Sequence, residues 1–169
     1  FSRELDTVAA AAAFHERGRA QIPQVLEPAV ADALHDCLLK HVPWRLAYNE
    51  GASPVVLYPA ELKQLGPDGQ QRLMESIISR ARPIVSAYLQ GEDPHLLVHR
   101  FLEWLVRPDT LDVARRITGI PSLIKADAQA TLYMPGQFLT LHDDTGAEAE
   151  KRRVGYVLNL TQEWHADWG

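Results

Sequence analysis

The chain has 169 residues, of which 46% are hydrophobic and 23% are charged, a composition typical of one soluble globular domain with a buried core. This composition excludes a disordered, collagen-like or coiled-coil chain. Seventeen basic and 22 acidic residues give a formal net charge of -5, so we expect no nucleic-acid partner. The longest apolar stretch, Val8 to Phe14, is far shorter than the roughly 20 residues that span a bilayer, and no membrane partner is expected.

The single cysteine, Cys37, lies in a leucine-rich run and cannot form an internal disulfide. A buried thiol is expected there, and a reducing, cytoplasmic location fits it best. The chain begins at Phe1 rather than at a methionine and ends at Gly169, which is typical of a fragment of a longer protein.

Helical periodicity dominates up to about residue 120. A first helix is expected from a cap at Ser2 or Asp6 to a stop at Gly18. A second helix should start at Pro28, since proline is favoured in the first turn of a helix, and its buried face should contain Val30, Ala33, Leu34 and Leu38. The predicted helices after the first are Pro28 to Lys40, Pro59 to Leu65, Asp68 to Leu89 with a kink at Pro83, Pro94 to Val106, and Asp109 to Thr118. The short strands predicted between the helices are Arg19 to Ile22 and Trp44 to Tyr48.

From Ala126 onward the period changes from that of a helix to that of a strand. Ala128, Ala130 and Leu132 alternate with polar positions that end at Tyr133, and Pro135-Gly136 predicts a turn. A second strand should carry Leu139 and Leu141 on one face and Phe138, Thr140, His142 and Asp144 on the other. A third strand should run from Val154 to Leu160, with Asn159 either a site residue or the cap of its own turn. One α+β unit, with helices first and sheet second, follows from this order.

His142 and Asp144 are two residues apart on a predicted strand, so their side chains should share a face while Asp143 points to the opposite one. An imidazole and a carboxylate side by side make up two-thirds of the facial triad that binds iron in non-haem Fe(II) oxygenases. An acid-rich surface turn is the alternative interpretation of the same residues.

The surroundings of this pair strengthen the metal interpretation. The run Tyr133-Met134-Pro135-Gly136 precedes the His142-x-Asp144 strand, Tyr156-Val157-Leu158-Asn159-Leu160 follows it, and Trp164 to Gly169 forms a tryptophan-glycine turn. In this order, the signatures over residues 127 to 169 resemble the 2-oxoglutarate- and Fe(II)-dependent oxygenases, most closely the prolyl-hydroxylase-like branch.

The resemblance implies that His142 and Asp144 are the first two iron ligands and that Tyr133 contacts 2-oxoglutarate. It also implies a double-stranded β-helix, or jelly-roll, core that is incomplete in these residues. Residues 1–125 would then be a helical part packed on the sheet, and residues 126–169 the first core strands of the same domain. The family's second histidine and its basic residue for 2-oxoglutarate are expected beyond Gly169 and are not assigned here.

The resemblance implies a dioxygenase that uses Fe(II) and 2-oxoglutarate, with ascorbate as an optional further factor, to hydroxylate a prolyl or similar residue of a protein or peptide. A protein, a peptide or an amino acid is therefore the expected substrate partner. The products from 2-oxoglutarate would be succinate and carbon dioxide. A non-catalytic interaction module on a degenerate oxygenase fold is the main alternative, because fold does not guarantee function. A cupin-like metalloenzyme of another chemistry is the third. The oligomeric state is left open.

Other clusters are weaker candidates for a site. His95, His99 and Glu103 have helical metal-ligand spacing, but a solvated helix edge is the preferred interpretation of these three residues. His35 and His41 are expected to pack or cap. Basic residues 151–153 are interpreted as a solvated loop rather than as a substrate-steering patch.

Overall fold

The structure is a computed structural model that describes residues 1–51, 53–79, 84–88, 96–139 and 152–165. Within these residues it contains six helices and one four-stranded antiparallel sheet, which is compatible with the predicted α+β class. The described sheet does not show a double-stranded β-helix, which therefore stays a prediction. The elements are α1 (Thr7–Arg17), α2 (Pro28–Lys40), β1 (Arg45–Glu50), β2 (Ser53–Leu57), α3 (Pro59–Gln64), α4 (Gly66–Ser79), β3 (Ile84–Tyr88), α5 (Leu97–Leu105), α6 (Pro108–Thr118) and β4 (Ala130–Leu132).

The chain forms two compact units. The first contains residues 1–41, 94–128 and 153–169, and the second contains residues 42–93 and 129–152. Both units therefore combine early and late parts of the sequence. The predicted division of one domain at residue 125 stays a prediction.

Helix pairs build the first unit, in which α1 packs against α6 and α2 packs against α5. The apolar cluster between α1 and α6 contains Ala10, Val113 and Ile117, with Leu5, Phe14 and Ile22 packed around it. None of the described helices combines the length and the apolar character that crossing a membrane requires.

Local capping explains the bounds of α1, as predicted. The Asp6 Oδ1 atom accepts hydrogen bonds from the amides of Val8 at 3.0 Å and Ala9 at 2.9 Å, which satisfies two first-turn donors. Gly18 ends the helix in the left-handed conformation, with φ of 68°. The strand predicted at residues 19–22 is wrong, because this segment pairs with none of the described strands and Ile22 instead packs against the α1–α6 cluster.

Helix α2 has the predicted bounds but a different buried face. Leu34 and Cys37 are buried, Leu38 is half-buried, and Val30 and Ala33 are exposed. The stripe predicted through Val30 is therefore wrong in part, since the neighbouring structure covers one side of α2 and leaves its first turn open. Cys37 is a buried free thiol, as predicted.

The second unit contains the sheet, in the order β2-β1-β3-β4. Strand β1 lies between β2 and β3, with Leu46 opposite Leu57 on one side and Ser86 on the other. Ile77 of α4 is fully buried against Leu46 of β1. Tyr48, Leu57, Leu62, Leu73, Met74 and Phe138 complete this core.

The helix predicted from Asp68 to Leu89 is wrong in its second half. Helix α4 ends at Ser79, and Ile84–Tyr88 form β3, which pairs with both β1 and β4. Pro83, where a kink was predicted, lies outside the described residues. A proline disfavours helical conformation in the residue before it, and the β-branched Ile84 and Val85 that follow it favour a strand. Strand β2 was not predicted. Because three of the four described strands precede residue 126, the predicted order of helices first and sheet second is also wrong.

Candidate functional site

Tyr133 directly follows the last residue of β4. In this strand Ala130 and Leu132 are half-buried, whereas Thr131 is exposed. The same alternation places Tyr133 on the exposed face, where 48% of its surface remains accessible. Tyr133 therefore lies on the polar side of the strand, as predicted.

A tight turn fixes the chain after Tyr133. The Gln137 amide donates to the Met134 carbonyl at 2.9 Å, and the Met134 amide donates to Gln137 Oε1 at 3.1 Å. Gly136 has φ of 83°, the conformation that a type II turn requires after a proline, so the predicted Pro135-Gly136 turn is confirmed. A Cβ atom at Gly136 would lie 3.4 Å from Ile78 Cδ1, which shows that the turn rests close to α4.

The phenol of Tyr133 stays protonated at neutral pH. Its partial burial raises the pKa above the ordinary value for tyrosine, since the phenolate is more costly to desolvate than the phenol. A neutral hydroxyl at an accessible strand end can donate a hydrogen bond to a carboxylate.

His142 and Asp144 lie outside the described residues, as do Asp143 and His95. The convergence of His142 and Asp144 on one metal ion therefore stays a prediction. In the described part of the chain, no group of three or more histidine, cysteine, aspartate or glutamate side chains could hold a metal ion. His99 is buried with 7% of its surface accessible, so the predicted solvated helix edge is wrong at this position.

Residues 152–161 run without a described strand partner, so the third predicted strand is not formed in this part of the chain. The predicted alternation nevertheless persists, with Val154, Leu158 and Leu160 half-buried and residues 153, 155, 157 and 159 exposed. Tyr156 does not follow this alternation, which predicts a buried side chain at position 156, because 49% of its surface is accessible. Side-chain hydrogen bonds hold part of this segment in place of a described backbone ladder.

The hydroxyl of Tyr156 supplies one such contact, donating to the Asp127 carbonyl at 3.0 Å. Burial and the nearby negative charge of Asp127 raise the pKa of Tyr156 to about 12. His35 supplies a second contact through Leu160. The sequence gives one indication of this hydrogen bond. Tyr156 carries a hydroxyl group at a position of the alternation that is otherwise occupied by apolar residues.

Asn159 and the other polar candidates have local roles. Asn159 Oδ1 accepts from the Thr161 amide at 2.9 Å, so the turn-capping interpretation of this residue is the observed one. His41 ends α2, its backbone amide donating to the Cys37 carbonyl. Arg152 and Arg153 are exposed, as the solvated-loop interpretation predicts, while Lys151 lies outside the described residues.

A family model matches part of the chain. Residues 128–169 match a family model described as the 2OG-Fe(II) oxygenase superfamily. The matched range, called here the oxygenase segment, begins just before β4 and includes Tyr133, the Met134–Gln137 turn, His142 and Asp144. It covers about a quarter of the 169 residues and supports an oxygenase that uses Fe(II) and 2-oxoglutarate. No curated protein and no solved structure gives a significant match to the chain.

Proposed function

We propose that this protein is an Fe(II)- and 2-oxoglutarate-dependent dioxygenase that hydroxylates a prolyl or similar residue of a protein or peptide. The observation that carries the proposal is the oxygenase segment, in which the family match coincides with the Tyr133 turn and with the His142-x-Asp144 pair. The prolyl substrate rests on the sequence resemblance to the prolyl-hydroxylase-like branch. A cytoplasmic location is proposed from the single, buried thiol of Cys37.

The residues of the oxygenase segment have donor chemistry that fits these cofactors. The imidazole of a histidine and the carboxylate of an aspartate, the groups at positions 142 and 144, are the ligand types of the facial iron site in this class of enzymes. When bound, Fe(II) would activate dioxygen, which is the oxidant; 2-oxoglutarate would give up two electrons and become carbon dioxide and succinate, which takes one oxygen atom, while the other oxygen atom enters a substrate C–H bond.

The role of the chain's own residues is to bind and orient. Together with the second histidine that the resemblance implies, His142 and Asp144 would hold the metal and leave the other positions open for the cosubstrate and dioxygen. The Tyr133 hydroxyl, kept protonated by its raised pKa, would donate to a carboxylate of 2-oxoglutarate. A charge-assisted hydrogen bond of this kind orients the cosubstrate without adding a charge to the site.

The test measures succinate formation by the full-length protein with Fe(II), 2-oxoglutarate and ascorbate, together with calorimetric binding of 2-oxoglutarate to the Fe(II)-loaded protein without oxygen. His142→Ala and Asp144→Ala should abolish turnover, whereas the matched control Asp143→Ala, at the position predicted to face away, should retain it. Tyr133→Phe should raise the KM for 2-oxoglutarate by about 10- to 100-fold, the usual range for losing a hydrogen bond to a charged group.

Three results would overturn the proposal. Full activity of His142→Ala would place the metal elsewhere. A wild-type protein that binds neither Fe(II) nor 2-oxoglutarate would favour the non-catalytic interaction module. Metal-dependent activity that needs no 2-oxoglutarate would favour the cupin-like alternative.

A further inference from the structure

We infer that Gln137 is a positioning residue for Tyr133, acting through the amide of Met134, so that the affinity for 2-oxoglutarate depends on a side chain that does not touch it. The inference rests on the proposed function, since it assigns Tyr133 to cosubstrate binding. The juxtaposition that carries it is the contact of Gln137 Oε1 with the Met134 amide at 3.1 Å.

The Met134 amide belongs to the peptide group that begins at the Tyr133 carbonyl carbon. Because a peptide group is planar, holding this N–H in one direction also holds the torsion ψ of Tyr133. The backbone of Gln137 closes the same turn from the other side, its amide donating to the Met134 carbonyl at 2.9 Å. Residue 137 thus contacts both polar groups of residue 134.

The chain is anchored on both sides of Tyr133. On the N-terminal side, Leu132 is paired with Ser86 in the β3–β4 ladder. On the C-terminal side, Phe138 packs against the core of Leu46 and Ile77. Tyr133 is the residue between the last ladder pair and the turn, so the Gln137 side chain supplies the hydrogen bond that the ladder no longer provides.

This arrangement matters because 48% of the surface of Tyr133 is accessible and the residue lies beyond the last pair of the β3–β4 ladder. An exposed residue beyond the end of a ladder loses conformational freedom when it binds a ligand, which weakens binding. Fixing its ψ in advance removes part of that cost. The Gln137 contact is therefore expected to favour cosubstrate binding more than the chemical step.

The experiment uses the full-length Fe(II)-loaded protein and compares three variants. Gln137→Met keeps the side-chain length but loses the acceptor oxygen, and Gln137→Glu keeps an acceptor oxygen at the same reach. Gln129→Met makes the same change at an exposed position just before β4. The measurements are the KM for 2-oxoglutarate, kcat, and hydrogen exchange of the Met134 amide in protein without metal or cosubstrate.

Gln137→Met should raise the KM for 2-oxoglutarate by about 3- to 10-fold, as expected for one lost hydrogen bond, with kcat within about 2-fold of wild type. Exchange at Met134 should accelerate in this variant. Gln137→Glu and Gln129→Met should stay close to wild type. In the double variant Tyr133→Phe/Gln137→Met, the KM should rise no further than in Tyr133→Phe alone, because Gln137 acts through the phenol.

The outcomes separate this inference from the proposed function. An unchanged KM in Gln137→Met beside a raised KM in Tyr133→Phe would overturn the positioning role and leave the dioxygenase intact. Additive effects in the double variant, or unchanged exchange at Met134, would also overturn it. A wild-type protein that does not bind 2-oxoglutarate would instead overturn the proposed function, and this inference with it.

Discussion

The Nδ1 atom of His35 in α2 donates a hydrogen bond to the carbonyl oxygen of Leu160 at 2.9 Å. A carbonyl oxygen can only accept, so this ring nitrogen carries a proton. The two residues are 125 positions apart in the sequence, and Leu160 lies in the oxygenase segment. Within the first unit, the contact therefore connects helix α2 to the segment that contains Leu160.

Replacing His35 should loosen this connection. We expect His35→Leu to lower the free energy of unfolding by about 1 kcal/mol, the usual net value of one hydrogen bond. The matched control is His41→Leu, at the exposed C-terminal cap of the same helix, which should change stability by less than about 0.5 kcal/mol. Urea denaturation measures both, and equal losses in the two variants would show that the Leu160 contact is not the stabilising one.

Two neighbouring isoleucines in α4 should respond differently to the same change. Ile77 is fully buried against Leu46, whereas Ile78 has 48% of its surface exposed. Ile77→Ala should lower the free energy of unfolding by about 2–5 kcal/mol, because the variant buries less apolar surface and leaves a cavity in the core. Ile78→Ala should cost less than about 1 kcal/mol. Thermal or urea unfolding tests the pair, and a larger loss at Ile78 would contradict the orientation of α4 on the sheet.

Adding a methyl group at Gly136 should strain the turn next to Tyr133. With φ of 83° this residue is in the left-handed region, where an L side chain costs about 1 kcal/mol or more. Gly136→Ala should therefore lower stability by about that amount. Gly155→Ala is the control, because its Cβ would meet nothing within 4 Å and its φ is not in that region. Similar unfolding midpoints for the two variants would contradict the observed turn.

The raised pKa of Tyr156, caused by burial and by the negative charge of Asp127, should appear as a change in the stability of the protein at alkaline pH. The folded protein keeps this phenol protonated up to a pKa of about 12, whereas an unfolded tyrosine ionises near its ordinary value of 10.0. The unfolded state therefore loses its proton first, and this contribution to stability is complete below pH 10 and is lost as the pH rises toward 12.

Tyr156→Phe should remove that pH dependence. At neutral pH it should also lower the free energy of unfolding by about 1 kcal/mol, because the variant lacks the hydroxyl that donates to the Asp127 carbonyl. Tyrosinate absorbance titrations of the folded wild type and the variant check the assignment, since the ionisation near pH 12 should disappear. Persistence of that ionisation in Tyr156→Phe would assign it to another tyrosine.

The helix ends and the turn beside Tyr133 could be predicted from the sequence, because residues close to one another in the chain form them. Asp6 and Gly18 cap α1, Pro28 starts α2, and Pro135-Gly136 turns the chain, each through contacts within a few residues. The alternation along residues 126–133 likewise predicts that Tyr133 lies on the exposed face, without reference to a partner strand. These features need no information from distant parts of the chain.

The strand pairings and the long-range side-chain hydrogen bonds could not be predicted in this way, because their partners lie far away in the sequence. Residues 84–88 continue an apolar run that suits a helix, yet they form β3 because β1 and β4 offer backbone partners on both sides. Residues 19–22 and 154–160 have strand-like patterns and form no described ladder. In the candidate site, the Gln137 contact forms only once the turn has closed, and those of Tyr156 and His35 only once long-range folding has brought their partners near. Periodicity specifies which face of a segment is apolar, whereas a hydrogen bond across many residues requires the folded chain to bring donor and acceptor within about 3 Å.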